Sequence, residues 1–207
     1  MSEHDGGAPE EIERFGVRQR ITMMVNRYEV RRLTDTGDEG ELLAFAEQKR
    51  MKLKEEVTFF ATEAKTRPLF AFNARKRLDL ASAYDVTDPS GAPIGVFRKD
   101  FKASLLSSTW HLETTDGQTF TGSERSTGIA VLRRVWDFVP VVGEIPLPFL
   151  FHFDFRAPDG TVVMSSTKKM GVRDVYRIEL RRTPTGRRLD WRLAAAMAVA
   201  LDALQSR

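Results

Sequence analysis

The sequence predicts a mainly β protein whose antiparallel strands close around a buried C-terminal helix, and three observations predict it. Turn signals recur at fairly regular intervals, at Asp35-Thr36-Gly37, Asp88-Pro89-Ser90-Gly91, Thr115-Asp116-Gly117, Pro158-Asp159-Gly160 and Thr183-Pro184-Thr185-Gly186. Between them, apolar and polar residues alternate with period two, which gives a sheet one covered face and one wet face. Near the C-terminus lies a helical stretch with no polar face at all.

The first residues, MSEHDGGAPEEIERFG, are acidic and carry Gly and Pro without an apolar run, so 1–18 reads as a flexible tail and 19–207 as a single barrel domain. The first strand candidate is Ile21–Leu33, followed by Leu42–Gln48, Val57–Thr62, Leu69–Ala74, Ala83–Asp88, Ile94–Lys99 and Gln118–Gly122. Trp110 and Leu112 alternate with His111 and Glu113. Phe149, Phe151, Phe153 and Phe155 alternate with Leu150, His152 and Asp154. Thr161–Thr167 follows, and then Tyr176, Ile178 and Leu180 alternate with Arg177, Glu179 and Arg181. The Asp-Gly and Pro-x-Gly turns between them supply the backbone angles that tight hairpins need. Two short helices are expected, Asp100–Ser107 and Ser126–Val139, both lying outside the sheet; Met51–Glu56 stays open.

The last helix, Asp190–Leu204, opens on a good N-cap at Asp190 and continues in strong helix formers. Leu193 to Leu201 is apolar around the whole turn, and six of those nine residues are Ala or Val. A helix apolar on every side either spans a membrane or is buried on every side, and roughly 20 apolar residues are needed to span. This run is far too short, so the helix is buried, and its slim side chains suit the axis of a barrel. A core helix layered between a sheet and other elements is the alternative. The other apolar stretch, Val135–Phe153, is broken by Asp137, Glu144 and three prolines, so it does not span either.

Apolar residues make up 42% of the 207 and charged ones 29%, enough for a core and a solvated surface. Thirty-two Lys and Arg against 29 Asp and Glu leave an excess of +3, which permits contact with phosphate but is far short of a nucleic-acid binder. The absence of cysteine removes disulfides, thiolate metal sites and palmitoylation, and fits a reducing cytoplasm. No cofactor motif is present, and Gly122-Ser123-Glu124 and Thr127-Gly128 match neither a nucleophile elbow nor a phosphate loop.

One succession of motifs runs Leu69–Phe72 (LFAF), Tyr84-Asp85-Val86-Thr87-Asp88 with Gly91, Ile94–Phe101 (IGVFRKDF), Trp110-His111-Leu112, Asp116-Gly117, Asp159-Gly160, Tyr176-Arg177-Ile178 and the terminal apolar helix. In this order it resembles the tubby C-terminal-like superfamily, in the bacterial branch related to the LURP-one-related proteins and the phospholipid scramblases. The resemblance covers about Ile21 to Leu204. It implies about twelve antiparallel strands closed around a central hydrophobic helix, in a family whose members bind phosphoinositides or act on phospholipids. No calcium loop and no acylated cysteine segment is present, so calcium-dependent scrambling does not carry over, and no headgroup-binding residue aligns one to one.

Basic clusters stand at Arg75-Lys76-Arg77, at Arg98, Lys99 and Lys102, at Lys168, Lys169 and Arg173, and at Arg181, Arg182, Arg187 and Arg188. Guanidinium forks and lysine ammonium groups suit phosphate, although strand edges also carry such residues for solubility alone. The preferred headgroup ligands are Lys168, Lys169 and Arg173, joined by Arg98 and Lys99. The expected function is a non-enzymatic module, cytoplasmic and peripheral at the inner membrane face, that recognises anionic phospholipid headgroups through an exposed basic patch. Two alternatives stand beside it. His111/Glu113 and His152/Asp154 are paired on strands and would build a metal site for a hydrolase if those strands were neighbours. Ser126–Val139 with Pro140–Pro148 would instead meet a protein partner.

Overall fold

A computed structural model describes residues 11–21, 25–49, 56–75, 83–100, 109–124, 152–169 and 175–205. Twelve strands appear in chain order: β1 (Arg14–Ile21), β2 (Val25–Leu33), β3 (Glu39–Lys49), β4 (Glu56–Phe60), β5 (Pro68–Ala74), β6 (Ala83–Thr87), β7 (Pro93–Asp100), β8 (Thr109–Thr114), β9 (Thr119–Glu124), β10 (His152–Arg156), β11 (Val162–Lys169) and β12 (Val175–Leu180). One helix follows, α1 (Trp191–Gln205). Each strand pairs antiparallel with its chain neighbours, and β1 pairs with β12, so the sheet closes with no free edge. The expected fold is therefore the observed one.

The barrel begins earlier than the sequence suggests. Residues 14–18, read as part of the tail, belong to β1, because Phe15 and Val17 turn inward while Arg14 and Arg18 stay on the outer side, paired with Asp35 and Glu39. The expected helices Asp100–Ser107 and Ser126–Val139 lie outside the described residues, apart from Asp100, which closes β7, as does the Met51–Glu56 stretch apart from Glu56, which opens β4.

Up-and-down connectivity sorts the strand connections onto two ends. At the entry end, where α1 begins, four of the five predicted turns and 61–67 join the strands, the fifth leads from β12 into α1, and glycines such as Gly117 (φ 80°) hold the positive φ that a tight turn demands. At the far end, where α1 finishes, the strands are joined through 22–24, 50–55, 75–82, 101–108, 125–151 and 170–174.

The helix lies on the barrel axis. Leu193, all five alanines from Ala194 to Ala200, Met197 and Val199 are at most 2% exposed, so from Leu193 to Ala200 no face of the helix meets water. Large inward residues complement these small ones: Phe59 stacks on Phe70 at 4.2 Å, Tyr84 on Phe97 at 4.9 Å, and Trp191 meets Phe70 edge-on at 5.7 Å. Two inward glycines set the closest approaches. A Cβ on Gly95 would stand 2.6 Å from Leu193 of α1, and one on Gly122 would stand 2.3 Å from the Phe155 ring.

Candidate functional site

The inner wall changes character along the axis. Near the entry end its buried side chains are apolar, whereas toward the far end it carries Gln19, Asn26, Gln48, Glu124 and Ser166, all buried, together with Lys99 and Lys168. Their inward direction follows from pairing: Lys99 lies opposite Trp110, Lys168 opposite Tyr176, Asn26 opposite Gln48, and Glu124 opposite Phe153.

At the centre of this polar end is Asp202, in the last turn of α1 and 2% exposed. Its carboxylate accepts the Tyr176 hydroxyl at 2.7 Å and the Tyr28 hydroxyl at 3.1 Å, and Gln19 donates to the Tyr28 oxygen at 3.2 Å. Burial first, and then the Asp202 charge, push the Tyr28 hydroxyl far above the ordinary tyrosine range, so it stays a donor. Two donors onto one carboxylate are what allow that charge to be buried. The network ties the C-terminal part of α1 to β2 and β12. Among the described residues, the amide oxygens of Asn26 and Gln48 are buried and accept no hydrogen bond.

Four of the five residues singled out from sequence are placed at this far end, on two separate arcs of the barrel. Arg98 and Lys99 are on β7 and Lys168 and Lys169 close β11, four strands away; Arg173, in the 170–174 link, lies outside the described residues. Arg98 is exposed on the outer face beside His111. Lys99 and Lys168 turn to the inner face, half-buried, with their ammonium groups 5.8 Å from the Trp110 ring and 5.5 Å from the Tyr176 ring.

The two His/carboxylate pairs do not converge. β9 runs between β8 and β10, so His111/Glu113 and His152/Asp154 are separated by two strand spacings, roughly 9–10 Å. His111 is engaged locally, with Asp100 at 3.3 Å and Thr121 at 3.2 Å, while Asp154 accepts from Ser165 at 3.0 Å and pairs with Arg156. Among the described residues no group of three or more His, Cys, Asp or Glu is placed to hold a metal. The fourth basic cluster is also engaged: Arg188 pairs with Glu11 and Glu13, and Arg182 with Glu11.

The architecture defines a class, the closed twelve-stranded barrel threaded by an apolar helix. Within it, the LURP-one-related family model matches residues 42–202, and the chain belongs to that family, part of the tubby-like C-terminal and scramblase-like superfamily. No curated protein and no solved structure matches it. Among the described residues, no helix is long and apolar enough to cross a membrane, which leaves crossing by strands untouched.

Proposed function

We propose that this chain is a non-enzymatic binding module, cytoplasmic and peripheral at the inner membrane face, that meets anionic phospholipid headgroups through the far end of its barrel. The observation that carries this reading is how charge divides between the two ends. The far-end links, 22–24, 50–55, 75–82, 101–108, 125–151 and 170–174, contain eleven Lys and Arg against five Asp and Glu. The entry-end turns, 34–38, 61–67, 88–92, 115–118, 157–161 and 181–190, contain six against seven. The strand end points alone fix which end each link serves.

The far-end links are also the ones rich in large apolar residues, among them Met23, Met24, Met51, Leu53, Phe101, Leu105, Leu106, Trp136 and Met170. Basic charge supplies long-range attraction, about 1 kcal/mol for each Lys or Arg near an anionic surface, and apolar side chains supply burial in the headgroup boundary. Arg98, Lys99, Lys168, Lys169 and Arg173 are the proposed headgroup ligands, and membership of the LURP-one-related family is compatible with such a module.

Vesicle flotation tests it. The protein should float with vesicles containing anionic phospholipid and stay behind with purely zwitterionic ones, and the bound fraction should drop between low and high salt because the Debye length falls from about 10 Å at 0.1 M to 3 Å at 1 M. Equal binding to both kinds of vesicle, or none to anionic vesicles at low salt, contradicts the proposal.

A further inference from the structure

At the opposite end of the barrel a groove of about 440 Å³ opens beside the start of α1, within the roughly 300–1,000 Å³ range of small-molecule sites. It is unrelated to the far-end surface. Its apolar lining comes from Ile12, Pro93, Ile94, Leu189 and Trp191, five side chains delivered by four parts of the chain: the segment before β1, the start of β7, the connection into α1 and the helix itself. Its polar wall carries three guanidinium groups, of Arg187, Arg188 and Arg192, facing Glu11, Asp116 and Asp190.

These six charges cancel formally, yet they are not equally satisfied. Arg192 is held by Asp190 through both carboxylate oxygens, at 2.7 and 3.1 Å, and Asp190 also caps the helix by accepting the Arg192 backbone N–H at 2.8 Å. That pair is complete. Asp116 is committed to its own turn: Thr114 donates to one oxygen at 2.5 Å and Gln118 to the other at 2.8 Å. These neutral donors, Thr114 foremost, hold its carboxyl below the usual aspartate range.

What remains for Arg187 is one contact to Asp116 at 3.5 Å, at the limit of a hydrogen bond, on a side chain that is 75% exposed. Arg188 gives its terminal nitrogens to Glu13 and the Leu180 carbonyl, but its buried Nε–H has no hydrogen-bond acceptor, and Glu11 stands 3.5 Å away. Asp116 and Asp190 are thus satisfied, Glu11 stands 3.5 Å from Arg188 and 3.6 Å from Arg182, and Arg187 and Arg188 retain unused donors. The imbalance is in unused donors, above an apolar lining.

We propose that this groove is a binding site for a small amphiphilic anion, in which a carboxylate or phosphate meets the exposed fork of Arg187 and an apolar body lies against Ile94, Leu189 and Trp191. A guanidinium fork matches either oxyanion in a bidentate way, which a lysine in the same place would not do. Glu11, from the segment before β1, already places a carboxylate 3.5 Å from Arg188 within the groove.

Calorimetric titration of the full chain with three probes, decanoate, decanol and inorganic phosphate, tests this, with amide chemical shifts of residues 187–193 as a second readout. Decanoate should bind saturably and shift those amides, and decanol and phosphate should each bind at least about tenfold more weakly, because neither supplies both chemistries. Arg187→Gln, at an exposed position, should weaken decanoate about tenfold, leave decanol unchanged and keep the thermal midpoint of the parent. Decanol binding as tightly as decanoate, equal decanoate affinity in Arg187→Gln, or no saturable binding would each overturn the site. Decanoate and a decyl phosphate compared in the same cell then decide which oxyanion it prefers.

Discussion

Gly95→Ala is the most informative single change to the architecture. Gly95 is on β7 with its missing side chain directed at the helix, and its φ is not in the left-handed region, so the whole cost of a methyl group is steric. The new Cβ would stand 2.6 Å from Leu193 Cδ2 and 2.7 Å from the Glu113 carbonyl oxygen, against ordinary contacts of about 3.5–4.0 Å. Relief therefore requires a movement of about 1 Å. Leu193 is fully buried, and Glu113 presents backbone from the neighbouring strand, so neither yields cheaply. Overpacking a dense core costs about 1–3 kcal/mol, and the double clash places this substitution at the upper end. For a chain of this size that corresponds to a midpoint lower by about 6–12 °C. Gly16→Ala is the control: its nearest neighbour would be Leu33 Cδ2 at an ordinary 3.5 Å, so stability should hardly change. Thermal and urea unfolding read both. In a Leu193→Ala background the cost of Gly95→Ala should shrink but not vanish, since the Glu113 oxygen remains. A Gly95→Ala protein as stable as its parent, or one whose cost is untouched by Leu193→Ala, would refute the placement of α1 against β7.

Further expectations concern the buried polar network and pH. Asp202→Ala leaves the Tyr28 and Tyr176 hydroxyls without their shared acceptor and should lower unfolding stability by about 2–4 kcal/mol, read from the urea midpoint; a loss under about 1 kcal/mol contradicts the network. In acid, Asp88, Asp116 and Asp159 have depressed folded values because turn hydroxyls and backbone N–H groups bind the charged form. Their contribution is complete above the ordinary aspartate value of about 4 and is lost as pH falls through the lower folded values, so the midpoint should begin to drop below pH 4; a flat profile there contradicts it. In alkali the sign reverses. Burial raises Tyr28 and Tyr84, so their neutral forms favour the fold, fully below about pH 10 and decreasingly as pH rises beyond it. Each adds a slope of up to about 1.4 kcal/mol per pH unit, and Tyr28→Phe should flatten the alkaline limb relative to the parent.

Much of this architecture was legible in the chain because turn chemistry and period-two alternation are local. Asp-Gly and Pro-x-Gly turns mark the entry end, and α1 declares its burial through the lack of a polar face. The first strand escaped because Arg14, Gly16 and Arg18 surround Phe15 and Val17 with the composition of a tail, and only pairing with β12 and β2 supplies the inward face. The polar far end escaped for a different reason. Gln19, Asn26 and Gln48 occupy inward positions, and a polar residue in an alternating strand reads as solvent-facing until the strand is seen within a closed barrel. Lys99 and Lys168 did leave a signal, since each shares parity with buried apolar residues, Phe97 and Met164. The His/carboxylate pairs depended on which strands are neighbours, and that is a property of topology rather than of either strand.

Charge neutralisation at one end at a time tests the functional reading most directly. A far-end variant, Arg98→Gln with Lys168→Gln and Lys169→Gln, and an entry-end variant, Arg181→Gln with Arg182→Gln and Arg187→Gln, remove the same three charges. Both are floated with anionic vesicles at low salt after their folding has been verified by thermal midpoint. The far-end variant should lose most of its binding, with three charges at about 1 kcal/mol each, and the entry-end variant should float like the parent. Equal loss in both, or loss confined to the entry-end variant, would contradict a far-end docking surface.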